Sequence, residues 1–136
     1  MPQTSEQFPV IDVAELESTD TGRKTALICR SLDELKALDI VVLDVQGQTV
    51  LSDYFVIATG TSTTHVHSLG GHVQDQMRSN GFRARAEGAS ASQWIVMDYG
   101  DAIVHILGEE TREFYDLERL WADAKISVWP DSTPES

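Results

Sequence analysis

The sequence is short of basic residues and of cysteine, and it has no long apolar run. Each shortage removes a class of function. Ten Lys and Arg stand against twenty-two Asp and Glu, a formal charge of −12. A chain this negative is repelled by phosphate backbones, and it has no basic run beyond Arg83 and Arg85, so direct nucleic-acid binding is disfavoured. No apolar stretch approaches the roughly 20 residues that a membrane span needs. The N-terminus has neither a basic region followed by an apolar one nor an Arg-rich amphipathic pattern, so export and organelle import are not expected. The single cysteine, Cys29, cannot close an internal disulfide; inside a helical pattern it reads as a small buried hydrophobe in a reducing cytoplasm. Lysine is absent between Lys36 and Lys125. Gly60-Thr61-Ser62 therefore lacks the Gly-Lys-Ser/Thr ending of a triphosphate-binding loop.

What remains is enough for one domain with one core. Residues 1–17 hold two prolines, several carboxylates and no basic residue, and are expected to be a mobile acidic extension. Phe8, Val10, Ile11, Val13 and Leu16 give it the option of docking as a short arm. The domain is expected over 18–124, and residues 125–136 as a flexible tail. Thr19 or Asp20 can cap a helix whose apolar positions Ala26, Leu27, Ile28, Leu32 and Leu35 recur at helical spacing. Ile40–Val45 and Tyr54–Ala58 read as buried strands. Thr61 or Ser62 caps a second helix with the stripe Val66, Leu69, Val73, Met77, closed by Asn80-Gly81. Gly70 and Gly71 inside it suggest a bend or a close helix–sheet approach. Phe82–Ala86 alternates as a strand with one wet face.

The chain is organised around Trp94–Leu107. Trp94–Met97 and Ala102–Leu107 are apolar on both alternating faces and read as central strands. Asp98-Tyr99-Gly100-Asp101 is the turn between them. Tyr99 has two readings: it folds back onto the sheet, or it stands out as a contact for another macromolecule. Asp98–Asp123 then carries eight carboxylates against two arginines, interleaved with Tyr99, Phe114, Tyr115 and Trp121. Aromatics among acids suit the docking of a basic protein partner. Phe114, Leu117 and Trp121, at helical spacing, read instead as the buried stripe of an acidic helix.

Enzyme chemistry is thinly represented. His65, His67 and His72 do not share one helix side, so they cannot surround an ion, and no metal or cofactor is expected. His105 alternates with Ile103 and Leu107, so it faces inward and should satisfy a buried hydrogen bond. The competing enzyme reading is a nucleotide-binding or nucleotidyl-transfer site that joins Gly60-Thr61-Ser62 to Asp98 or Asp101.

Three blocks carry a family resemblance. They are Leu43-Asp44-Val45 with Ser52–Ser62, Trp94–Asp101 with Val104-His105, and Arg112–Trp121. In this order, over roughly Thr25 to Ala124, the chain resembles the ribosomal silencing factor family, RsfS or Iojap. The resemblance implies a single-domain α+β fold related to the nucleotidyltransferases but without their catalytic carboxylates. With the strands read above, this gives a mixed five-stranded sheet flanked by helices. It also implies a non-enzymatic cytoplasmic protein. Such a protein binds the large ribosomal subunit through the ribosomal protein uL14 on its joining face, blocks the small subunit and represses translation under nutrient limitation. A homodimer of the free protein is implied as well. The family's contact surface falls on the central hairpin, here Trp94 and Tyr99 with Asp98 and Asp101 beside them; Tyr115 is the further aromatic candidate.

Overall fold

The computed structural model describes residues 8–89 and 93–130. In chain order it runs α1 (Val13–Leu16), α2 (Asp20–Glu34), β1 (Leu38–Asp44), β2 (Tyr54–Gly60), α3 (Thr63–Ser79), β3 (Ala86–Ala89), β4 (Trp94–Asp98), β5 (Ala102–Gly108), α4 (Glu109–Tyr115), α5 (Leu117–Leu120) and β6 (Lys125–Val128). The strands form one mixed sheet in the order β3-β4-β5-β2-β1-β6. Among these strands β2 and β5 are the parallel pair, joined through α3 and the β3–β4 ribbon. The two long helices start at hydroxyls. Thr19 Oγ1 accepts the Gly22 N–H at 3.0 Å, and Ser62 Oγ accepts the His65 N–H at 3.0 Å. No helix among the described residues is long and apolar enough to cross a membrane.

The two sheet faces are treated unequally. Helices α2 and α3 cover one, over a core that includes Ile28, Leu32, Val56, Leu69, Val73, Met77, Val104 and Ile106. Cys29 is fully buried there, and burial pushes its thiol pKa up. On the other face Val41, Leu43, Phe55, Ile57 and Leu107 pack under the small α4–α5 segment, through Leu117 and Trp121, with Phe8 of the N-terminal arm against the same cluster. Toward β4 this second face opens: Trp94, Val96, Ile103 and His105 are all half-buried.

Three sequence expectations need correction. The sheet has six strands, not five: Lys125–Val128, expected in the flexible tail, pairs antiparallel with β1 and buries Ile126 and Val128. Four residues are too short a pattern to read unaided; the free edge of β1 gives them their partner. Part of the N-terminal extension is ordered as well. The Ile11 N–H donates to the Val128 carbonyl at 2.9 Å and the Val128 N–H to the Pro9 carbonyl at 2.8 Å, so the arm seals the β6 edge. Residues 1–7 and 131–136 lie outside the described residues. Finally, the strand expected at Phe82–Ala86 lies at Ala86–Ala89. The Phe82 N–H is taken by the Met77 carbonyl at the end of α3, and pairing with β4 begins only where the Arg85 N–H meets the Asp98 carbonyl.

Candidate partner-docking surface

The five residues expected to bind a partner separate into two groups. The hairpin tip turns on Gly100, whose φ of 93° suits glycine, and the Asp98 carboxylate accepts the Gly100 N–H at 2.8 Å. Tyr99 does not stand out from this tip. Its side chain is 4% exposed and lies in the helix-side core, its hydroxyl 3.9 Å from Met97 Sδ. Burial raises its phenol pKa, with Glu87 adding to the effect. The reason is alternation: Met97 and Tyr99 share the face that α2 and α3 cover, where a large apolar ring gains most by burial. Asp101 is committed to the fold too. Lys24 Nζ donates to it at 2.7 Å and Thr21 Oγ1 at 2.8 Å, which fastens the start of α2 to the tip. Burial works to raise the Asp101 pKa, but these two donors outweigh it and hold it below the usual carboxylate value.

The second group comes together at the other end of β4. Trp94 and Tyr115 meet with ring centroids 4.7 Å apart, and Phe114 stands edge-on to Tyr115 at 4.9 Å. Across β5, His105 lies 6.0 Å from Trp94 and 6.0 Å from Phe55, and Phe55 meets Trp121 at 5.1 Å. Six rings thus form a continuous row over the open sheet face, from Trp121 through buried Phe55 to Phe114, which is 80% exposed. The indole N–H of Trp94 donates to His105 Nδ1 at 3.2 Å. Burial lowers the His105 pKa to about 4, so the hydrogen bond expected of His105 is made, and made by a neutral ring. Asp98 belongs to this face by alternation with Trp94 and Val96, and among the described residues its ion pair is a 3.5 Å contact with exposed Arg85.

Phe114 corrects the expected buried stripe. Asp116 adopts the left-handed conformation, with φ 48° and ψ 59°, and ends α4. The helical spacing of Phe114, Leu117 and Trp121 therefore does not continue through it: Leu117 and Trp121 turn inward while Phe114 faces out. Asp is among the few residue types that enter this conformation with little strain, which is the one sequence sign of the break. Buried Arg112 fixes the bend. Its Nε and Nη2 donate to Glu118 Oε2 at 3.1 and 2.6 Å, and its Nη1 donates to the Asp39 carbonyl at 2.7 Å and to Thr59 Oγ1 at 2.9 Å. Asp39 itself has φ 49°, at a register shift in β1. Around the rings, Glu109, Glu110, Glu113 and Asp116 are exposed, and none belongs to an ion pair among the described residues.

The residues of the nucleotide reading are not gathered. Gly60 sits opposite Gly108 at one end of β2, whereas Asp101 flanks the Tyr54–Ala102 pair at the other end. Six residues of extended chain, about 20 Å, separate them. The Thr61 N–H that would cradle a phosphate donates to His65 Nδ1 at 2.9 Å. Gly60 serves close packing: a Cβ there would stand 2.9 Å from the Val66 backbone nitrogen. Gly70 likewise lets α3 approach Ile95. Of the other α3 histidines, His72 bonds Glu34 and His67 is exposed.

Comparison with known proteins agrees with this fold. Residues 18–136 match the family model described as ribosomal silencing factor during starvation. The chain is 35% identical over 96 residues to the ribosomal silencing factor RsfS of Bacillus subtilis, covering 70% of this chain and 81% of that one. It is 41% identical over 96 residues to RsfS of Haemophilus influenzae, covering 70% and 94%. The crystal structure of a Chromobacterium violaceum protein superposes with a TM-score of 0.74 at 28% identity, over 76% of this chain and 88% of that one.

Proposed function

Because the chain belongs to the ribosomal silencing factor family, we propose that it represses translation in the cytoplasm by docking on uL14 of the large ribosomal subunit and blocking the small one. The observation that supports this reading is the row of rings on the more open sheet face, rimmed by α4 carboxylates that belong to no ion pair among the described residues. Trp94, Tyr115 and Phe114 supply area that a partner can bury, while Asp98 and the α4 glutamates meet lysine or arginine on a basic protein. RNA phosphates repel the rest of an acidic body, which restricts docking to the protein patch. Inhibition is then steric: a folded 15.0 kDa domain occupies the space that the small subunit needs.

Co-sedimentation with isolated large and small subunits tests this. The chain should pellet with large subunits alone and reduce the yield of joined ribosomes. Tyr115→Ala, at a 51% exposed position, should weaken that binding about 30-fold, the consequence of losing an aromatic hot spot of about 2 kcal/mol, with little change in melting. Binding by Tyr115→Ala equal to wild type would remove the aromatic row from the reading. Sedimentation velocity of the free chain tests whether the same face pairs two copies when no ribosome is present.

A further inference from the structure

His105 stands at the middle of the open face, opposite Val96 on one side and Ile57 on the other. An indole N–H can only donate, so the Nδ1 that receives the Trp94 hydrogen bond carries no proton. The proton of the neutral ring is therefore on Nε2. That atom has no hydrogen-bond partner among the described residues, yet no unpartnered polar side-chain atom there is fully buried. Nε2 therefore reaches the surface. A polar N–H at the centre of an apolar ring cluster is costly to cover without an acceptor.

We propose that His105 is the hydrogen-bond donor at the centre of the docking face, with Nδ1 committed to Trp94 and its Nε2–H offered to a carbonyl oxygen of the bound protein. The inference rests on the docking reading above. It adds a selection rule to charge steering. The acidic rim draws any basic surface, but only one that brings an oxygen over His105 covers the face without stranding the N–H. The neutral ring also places no positive charge against a cationic partner.

Two measurements test it. Imidazole 15N spectra of the free chain between pH 6 and 8 should show His105 protonated on Nε2 and bare on Nδ1; the opposite tautomer overturns the proposal. Binding to purified large subunits is then compared for wild type, His105→Phe and His105→Gln, each alone and with Trp94→Phe, with a thermal melt for every variant. His105→Phe should lower affinity about tenfold in both backgrounds, the expected loss for one hydrogen bond. His105→Gln, whose amide can both accept and donate, should restore most of it. Equal binding by wild type and His105→Phe overturns the proposal. An effect of His105→Phe that vanishes in the Trp94→Phe background does so too, because His105 would then act only through the indole. If wild type itself fails to bind, the docking reading falls and takes the donor role with it, while the tautomer result still reports on the free chain.

Discussion

Trp94 and Tyr99 are five positions apart on one hairpin, and that odd spacing puts them on opposite faces of the sheet. Tyr99 enters the core; Trp94 stays half-buried on the opposite face, which the long helices α2 and α3 do not cover. Tyr99→Ala should therefore destabilise the domain by about 3 kcal/mol, as deletion of a buried ring does, and leave the docking of the folded fraction intact. Denaturant unfolding and co-sedimentation read the two effects separately; reduced docking at unchanged stability would return Tyr99 to the surface. His105 sets a pH dependence. Its folded pKa of about 4 lies below the ordinary histidine value of 6.5. The unfolded chain thus binds the proton first, and stability is full above about pH 6.5 and falls as pH drops toward 4, by up to about 3 kcal/mol. Asp101, held below its usual pKa, loses stability in the same direction at lower pH. The comparison is therefore the slope between pH 6.5 and 5, which should be flatter in His105→Phe than in wild type.

At the scale of elements, α4 and α5 are two short helices held by one cation. Arg112 joins Glu118 to the backbone of β1 and the hydroxyl of Thr59 on β2. Arg112→Ala leaves the Glu118 carboxylate, 13% exposed, without its partner. That should cost about 3–5 kcal/mol and release the segment that carries Phe114 and Tyr115. Increased solvent quenching of Trp121 fluorescence would show the release; an unchanged melt would mean that the bend is held by something else. The strand β6 is the other element with a large effect for its size. Cutting the chain after Ala124 exposes β1's edge, frees the N-terminal arm and removes buried Ile126 and Val128. A chain ending there should melt well below wild type and aggregate through the bare edge; an equal melting temperature would contradict this.

For the whole molecule, the charge of −12 is spread over a body in which six of the ten Lys and Arg form internal ion pairs among the described residues. Long-range attraction then acts only toward a basic protein surface, and it should be screened as the Debye length falls from about 10 Å at 0.1 M salt to about 3 Å at 1 M. Binding to large subunits should therefore weaken steeply with salt through a slower association rate, with the dissociation rate changing less. Salt-independent association measured by stopped flow would rule out steering. The aromatic contacts, being apolar, should persist, so a residual salt-resistant affinity is expected.

The amino-acid order alone determined the two long helices, each cap to within two adjacent residues, four of the strands and the hairpin at Gly100. These follow from local periodicity, capping and turn chemistry, which act over a few residues. The resemblance to ribosomal silencing factors was also legible, because it rests on contiguous blocks. The tertiary structure decided which aromatics are free. Whether Tyr99 or Phe114 is buried depends on which sheet face receives α2 and α3, and on a left-handed Asp116 that rotates one half of an apparent helical stripe away from the other. It also decided the sixth strand, since four residues become a strand only when a neighbouring edge offers them hydrogen bonds, and it brought the indole of Trp94 to the imidazole of His105 eleven positions away.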